Sequence, residues 1–173
     1  MNGEERPAMA EVATKGQVIV RHGDEGEAIW AVGSLFMVKL AVEESGGPLS
    51  VMRVVSLPGG ATPLHVHHAE AEAFYLLDGE MTYQAGEEVF ELRTGSFVYL
   101  PKDVPHRFRI RGTTPAKFLA LGTPGGVEHL YREVGVPATE LVLPSPPTPE
   151  EFGRWPAAAP KYGLELLGPP LPE

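Results

Sequence analysis

GGATPLHVHHAEAEAFYLLDG, residues 59–79, is the stretch on which the fold of this chain turns. His65 and His67 stand two apart, so on a β-strand both side chains point to one face. Glu72 follows five residues later, the wrong parity for one unbroken strand. The chain must turn or bulge across His68-Ala69-Glu70-Ala71. A third histidine, His106, returns 34 residues after Glu72 in PKDVPH, on a later strand. Three imidazoles and a carboxylate form a binding set for a divalent transition metal. Several strands sharing one interior can supply such a set, and a small β-barrel is the expected frame.

The flanking sequence fits many short strands. Apolar runs at Leu35–Val42, Ser50–Leu57, Ala73–Leu77, Met81–Gln84, Val89–Leu92, Phe97–Leu100, His106–Arg111 and Lys117–Gly122 are separated by turn residues. Gly 20 and Pro 18 serve mostly as punctuation between them. Residues 1–29 read as an arm with an edge strand, the β-branched Gln17–Arg21 being its strand-like part, and residues 30–122 as the barrel. Residues 123–173 read as a helical, proline-rich extension packed on it. There, Val127, Leu130 and Tyr131 have helical spacing, and Thr148-Pro149-Glu150-Glu151 reads as an N-cap, a proline and an acidic first turn. Leu164–Leu167 is a candidate last strand.

Composition narrows the function. A formal charge of −9 argues against a nucleic-acid partner. The absence of cysteine excludes disulfides and thiolate metal sites. No secretory h-region and no run approaching 18 apolar residues is present, so a cytoplasmic protein without a membrane partner is expected. Strand alternation from Glu72 puts Phe74 and Leu76 on its inward face. From His106 it puts Phe108 and Ile110 inward and Arg107, Arg109 and Arg111 outward. These four apolar residues are the expected pocket walls, suited to an aromatic or otherwise apolar small molecule rather than a sugar phosphate. Tyr83 and Met52 are further candidates for the lining. Glu70 is a rival carboxylate to Glu72, and His68 is of opposite parity to the ligands.

The motif G-x5-H-x-H-x4-E-x6-G (Gly59, His65, His67, Glu72, Gly79), with Gly95, Pro101 and His106 behind it, resembles the cupin superfamily. Asp103 stands where glycine is usual, and Ile110 where asparagine is usual. The tail, GTPGGVEHLYREVGVPA and KYGLELLGPP, resembles the single-domain, quercetin 2,3-dioxygenase-like branch. The resemblance implies an all-β fold: a small cupin barrel (double-stranded β-helix or jelly roll) with short C-terminal helices. It implies one metal, Fe, Mn, Co, Ni, Cu or Zn, held by His65, His67, Glu72 and His106. It further implies a dioxygenase using dioxygen on a flavonol-like or other aromatic enol or diol, Glu72 doubling as general base, and a homodimer. Another cupin enzyme, an isomerase or decarboxylase, and a non-catalytic metal-dependent binding protein are the alternatives.

Overall fold

The computed structural model describes residues 17–173. Residues 1–16, the first part of the expected arm, lie outside the described residues. Residues 17–22 form no strand. The first is β1 (Glu27–Ala31), paired with β2 (Ser34–Leu40). A short helix, α1 (Val42–Ser45), leads to β3 (Ser50–Ser56). Then come β4 (Pro63–His67), β5 (Ala71–Asp78), β6 (Glu80–Ala85), β7 (Glu88–Arg93), β8 (Phe97–Leu100), β9 (His106–Arg111) and β10 (Ala116–Thr123). The C-terminal part contributes α2 (Glu128–Val134), the two-residue β11 (Val136–Pro137), α3 (Pro149–Ala158), a 3₁₀ turn (Ala159–Tyr162) and β12 (Leu164–Pro170).

The strands do not close into the expected barrel. They form two open sheets, one ordered β11-β1-β2-β3-β10-β5-β8 and the other β12-β4-β9-β6-β7. The edges explain why. Closure needs free N–H and C=O rows to meet, and proline supplies no N–H. β8 stops at Pro101, β11 ends in Pro137 and β12 ends in Pro169-Pro170. The remaining edge, β7, is largely exposed and carries Glu88, Glu91 and Arg93, charges that discourage further pairing. Period-two alternation reads the same in a barrel and in two facing sheets, so spacing could not separate them.

The core lies between the sheets and beneath the C-terminal helices. Phe36, Met52, Val54, Phe74, Leu76, Met81, Ile110 and Phe118 fill it from the strands, and Leu130 and Trp155 from α2 and α3. Alternation is clean on β3, with Ser50, Met52, Val54 and Ser56 buried and the residues between them half-buried. Two turn positions hold the frame. Gly79 has φ 93°, and a Cβ there would meet the Ala116 backbone at 3.0 Å. Asp103 has φ 64°, a conformation Asp tolerates because its short polar side chain bonds locally.

α3 starts as its sequence directs. The Thr148 hydroxyl accepts from Glu151 N–H at 3.3 Å, the Glu151 carboxylate accepts from Thr148 N–H at 2.6 Å, and Pro149 occupies the first turn. β12 then pairs antiparallel with β4, placing Leu164 opposite His67 and Leu166 opposite His65. The C-terminal segment therefore lies directly on the histidine strand.

Candidate metal centre

The two sheets divide the donors. β4 carries His65 and His67, and β9 carries His106, which pairs with His65 across the strands. Glu72 belongs to β5 in the facing sheet, where it pairs with Leu100 and Gly122. The interruption that the His67–Glu72 spacing demands is a change of sheet: β4 ends at His67 and β5 begins at Ala71. The side chains meet in the interior, with one ligand atom of each of the four within 4.8 Å of all the others. All four residues are buried.

Each imidazole is held from behind. His65 Nδ1 donates to the Pro63 carbonyl at 2.7 Å, and His106 Nδ1 donates to the Val104 carbonyl at 2.9 Å. His67 Nδ1 donates to Glu70 Oε1 at 2.7 Å. A carbonyl can only accept, so the proton of His65 and of His106 sits on Nδ1, and in the neutral ring Nε2 keeps its lone pair. These contacts are the outer supports that metal-binding histidines use. His106 Nε2 lies 3.2 Å and His67 Nε2 3.4 Å from Glu72 Oε2. Lone pairs facing a carboxylate repel unless positive charge lies among them. The donor set therefore fits a divalent cation.

The electrostatics agree. Burial pushes the Glu72 carboxyl up, but His67, His106 and His65 outweigh it and hold its pKa down at about 2. His65 is pushed down to about 3, first by burial and then by His106 and His67. Burial likewise opposes charge on His67, but Glu72 and Glu70 outweigh it and raise its pKa. The site is thus built around a carboxylate with imidazoles available to it.

Beside the cluster is a cavity of about 40 Å³. Phe74 and Phe108 are in its wall, with Phe36, Met52, Val54, Phe118, Tyr83, Tyr131 and Trp155. His65, Glu72 and His106 are its metal-type residues, and Ser34, Ser56 and Thr62 its hydroxyls. Leu76 and Ile110 are buried but belong to the core rather than to this wall. Phe74 packs edge-on to Phe108 at 6.1 Å and tilted against Phe118 at 5.7 Å between centroids. Among the described residues, no Lys or Arg lines the cavity.

Glu70 is not among the four converging residues. It is buried and its bond is to the outer nitrogen of His67. His68 faces outward, 2.5 Å from Asp103 Oδ1 and 3.2 Å from Glu165 Oε2. Arg107 and Arg109 are not a solvated edge. Arg107 donates to the Pro169 carbonyl at 2.9 Å, and Arg109 to the Leu171 carbonyl at 2.7 Å. Glu43, Glu128 and His129 also lie together, but both Glu128 oxygens already accept backbone N–H groups, from Val42 and Gly126.

The sequence profile of the Cupin domain family matches residues 52–122, the span that contains all four donors. A predicted oxalate decarboxylase from Thermotoga maritima superposes with TM-score 0.56 at 20% identity, covering 62% of this chain and 99% of that one. An RmlC-like cupin from Shewanella frigidimarina gives TM-score 0.54 at 16% identity, covering 63% and 93%. The chain has the cupin fold. Among curated proteins, this chain is 25% identical to quercetin 2,3-dioxygenase of Bacillus subtilis over 135 residues, 78% of this chain and 40% of that protein. It is 33% identical over 66 residues to an uncharacterized protein of Methanocaldococcus jannaschii, covering 38% of this chain and 53% of that protein. The chain thus spans about half the length of these relatives or less. The quercetin 2,3-dioxygenase-like branch is one among several kinds of relative.

Proposed function

We propose that this cupin is a metal-dependent enzyme acting on a compact small molecule, with His65, His67, Glu72 and His106 holding one divalent ion. The observation that carries the reading is the convergence of imidazole nitrogens on the Glu72 carboxylate while every Nδ1 is tied to an outer acceptor. Mixed nitrogen and oxygen donors admit Fe, Mn, Co, Ni, Cu and Zn. When bound, such an ion polarises an oxygen of its ligand and stabilises charge that develops there. The chain's own contribution is a dry wall of aromatic rings and a carboxylate, Glu72, positioned to take a proton from the ligand.

The cavity's size selects among reactions. A cavity of about 40 Å³ favours a compact ligand over a multi-ring flavonol. The absence of lining Lys or Arg among the described residues disfavours a phosphorylated substrate. The reaction class favoured is isomerisation or decarboxylation of a compact oxygen-bearing acid, begun or ended by proton transfer at Glu72. Dioxygenase chemistry on a compact enol is the second reading. It is supported by the alignment with quercetin 2,3-dioxygenase over 78% of the chain and by the aromatic wall.

The test has two stages. Metal titration of the wild type should reach one divalent ion per chain, and His67→Ala and His106→Ala should each lose most of it while keeping the β-rich circular dichroism spectrum. Unchanged stoichiometry in both variants rejects the centre. The loaded protein is then offered a panel of compact 2-oxo and 2-hydroxy acids. Carbon dioxide release and α-carbon deuterium exchange are followed beside oxygen uptake. Oxygen uptake alone would replace the favoured class with the oxygenase, and no turnover by any route would leave a binding protein.

A further inference from the structure

The hairpin between β1 and β2 turns on a residue that its backbone disfavours. Ala31 and Ser34 pair across it, leaving Val32 and Gly33 as a two-residue loop. Both have positive φ, 45° and 75°. That pattern ordinarily takes Asn-Gly, Asp-Gly or Gly-Gly, and a β-branched residue is strained in it. The side chain of Val32 is half-buried and packs against the hydrophobic core. Val32 also borders two spaces: the cavity beside the histidines and a surface cleft of about 310 Å³ walled by Leu57, Pro58, Pro146, Pro147 and Phe152. Among the described residues, Ala61 is the other one common to both walls. The Ala61 side is pinned to β9, because Ile110 N–H donates to the Gly60 carbonyl and Arg109 Nη1 to the Gly59 carbonyl, each at 2.8 Å. The Val32 side is a hairpin tip. The hydroxyl residues of the cavity adjoin these two: Thr62 follows Ala61, and Ser34, two residues from Val32, donates to Ser56 Oγ at 2.9 Å.

We infer that Val32 is a gate between the surface cleft and the cavity, and that small ligands reach the buried donors by passing between Val32 and Ala61. The passage rests on the geometry of the two spaces. Its use as a substrate route rests on the metal-dependent reading above. Strain in the closed turn lowers the cost of leaving it, which makes the hairpin tip the part of the wall that moves most readily. Packing of the Val32 isopropyl group against the core opposes that movement and keeps the gate shut. A turn balanced between these two effects opens transiently while the sheets stay paired. Ser34, Ser56 and Thr62 give the inner end of the passage a polar lining. Val32 thereby screens ligands by width at the entrance, before the cavity itself tests their fit.

The first probe is acrylamide, which quenches tryptophan fluorescence on contact. Trp155 is buried in the cavity wall, and Trp30→Phe removes the other tryptophan. In the metal-free full chain carrying Trp30→Phe, Val32→Gly should raise the quenching constant several-fold. Val32→Ile keeps the branched bulk and should leave it at or below the parent value. Val54→Ala enlarges the cavity away from the cleft, and should do less than Val32→Gly. The chain has no cysteine, so Pro146→Cys gives a unique attachment point in the cleft. Labelling it with N-cyclohexylmaleimide should return the Val32→Gly protein to low quenching. Quenching in Val32→Gly no higher than in the parent or in Val54→Ala, equal quenching in Val32→Ile, or no effect of the label overturns the gate. The second probe is azide, its association with the cobalt-loaded chain followed by visible absorbance. A gate open less than about 10% of the time predicts that Val32→Gly speeds association by about tenfold or more. With Val32 intact, labelled Pro146→Cys should bind azide more slowly than unlabelled. Unchanged rates in both comparisons overturn the ligand route. No cobalt binding, with the quenching pattern as expected, overturns the metal reading and leaves the gate.

Discussion

Glu70 and His67 form a buried pair, the Glu70 carboxylate accepting from Nδ1 of His67 at 2.7 Å. The pair fixes the tautomer and tilt of a ring whose other nitrogen faces Glu72. Glu70→Ala should weaken divalent metal binding by about 10–100-fold through loss of that support. Competition with a fluorescent chelator measures it, and an affinity equal to wild type would show that His67 is oriented by packing alone. Glu70→Gln, which keeps an acceptor, should recover part of the loss.

Glu72 carries two proposed roles that can be separated. Gln keeps an oxygen donor but cannot take up a proton. Glu72→Gln, compared with wild type at matched metal occupancy, should be slower by at least about 10²-fold in single-turnover conversion of whichever acid the wild type accepts. Equal rates would confine Glu72 to metal binding.

Three of the converging side chains come from one sheet and the fourth from the other. A bound ion would cross-link the layers as well as serve chemistry. Zinc at about 100 times its Kd should stabilise the fold by about 2.7 kcal/mol. Thermal melts with and without chelator check this, and the increment should vanish in His106→Ala.

A surface pair gives the pH prediction. Arg21 donates to Glu44 at 2.5 and 2.8 Å, tethering residues 21–22 to α1. The Arg21 bond is the largest cause holding the Glu44 pKa at about 2, below its ordinary 4.5. A carboxyl depressed on folding contributes stability that is present above its unfolded value. That contribution is lost as pH falls from about 4.5 through about 2. Because the pair is largely solvated, the effect should be below about 1 kcal/mol. Urea unfolding of wild type and Arg21→Ala should differ by that amount at pH 6, and the difference should shrink as pH falls toward about 2, where half of the folded-state Glu44 carboxyl is protonated.

The donors were readable because metal chemistry restricts residue types and strand geometry restricts spacing. Two histidines at i and i+2 point together, and Glu72 at odd spacing from them forces the break that the structure realises as a change of sheet. α3 was readable from Thr148-Pro149 because an N-cap is a local bargain between neighbours. The division into two open sheets was not, since which strands leave edges unpaired depends on partners far along the chain. Leu76 and Ile110 share a buried parity with Phe74 and Phe108, but parity gives a face and not a depth, and only the latter two reach the cavity. Trp155 and the tail-gripping Arg107 and Arg109 were beyond reach for the same reason: their partners lie across the fold, Arg109 and Leu171 being 62 residues apart.

The pairing of β12 with β4, and the Trp155 side chain in the cavity wall, have a consequence for how the protein is made. A ribosome delivers His65, His67, Glu72 and His106 well before it delivers residues 155–171. During that interval the nascent chain holds all four donors while its histidine strand has an open edge and its cavity lacks one wall. Ion capture before the tail emerges would take place in water, with little to discriminate one metal from another. Capture afterwards would take place among buried aromatic side chains. The order of translation and metal uptake would then help decide which metal the mature protein carries.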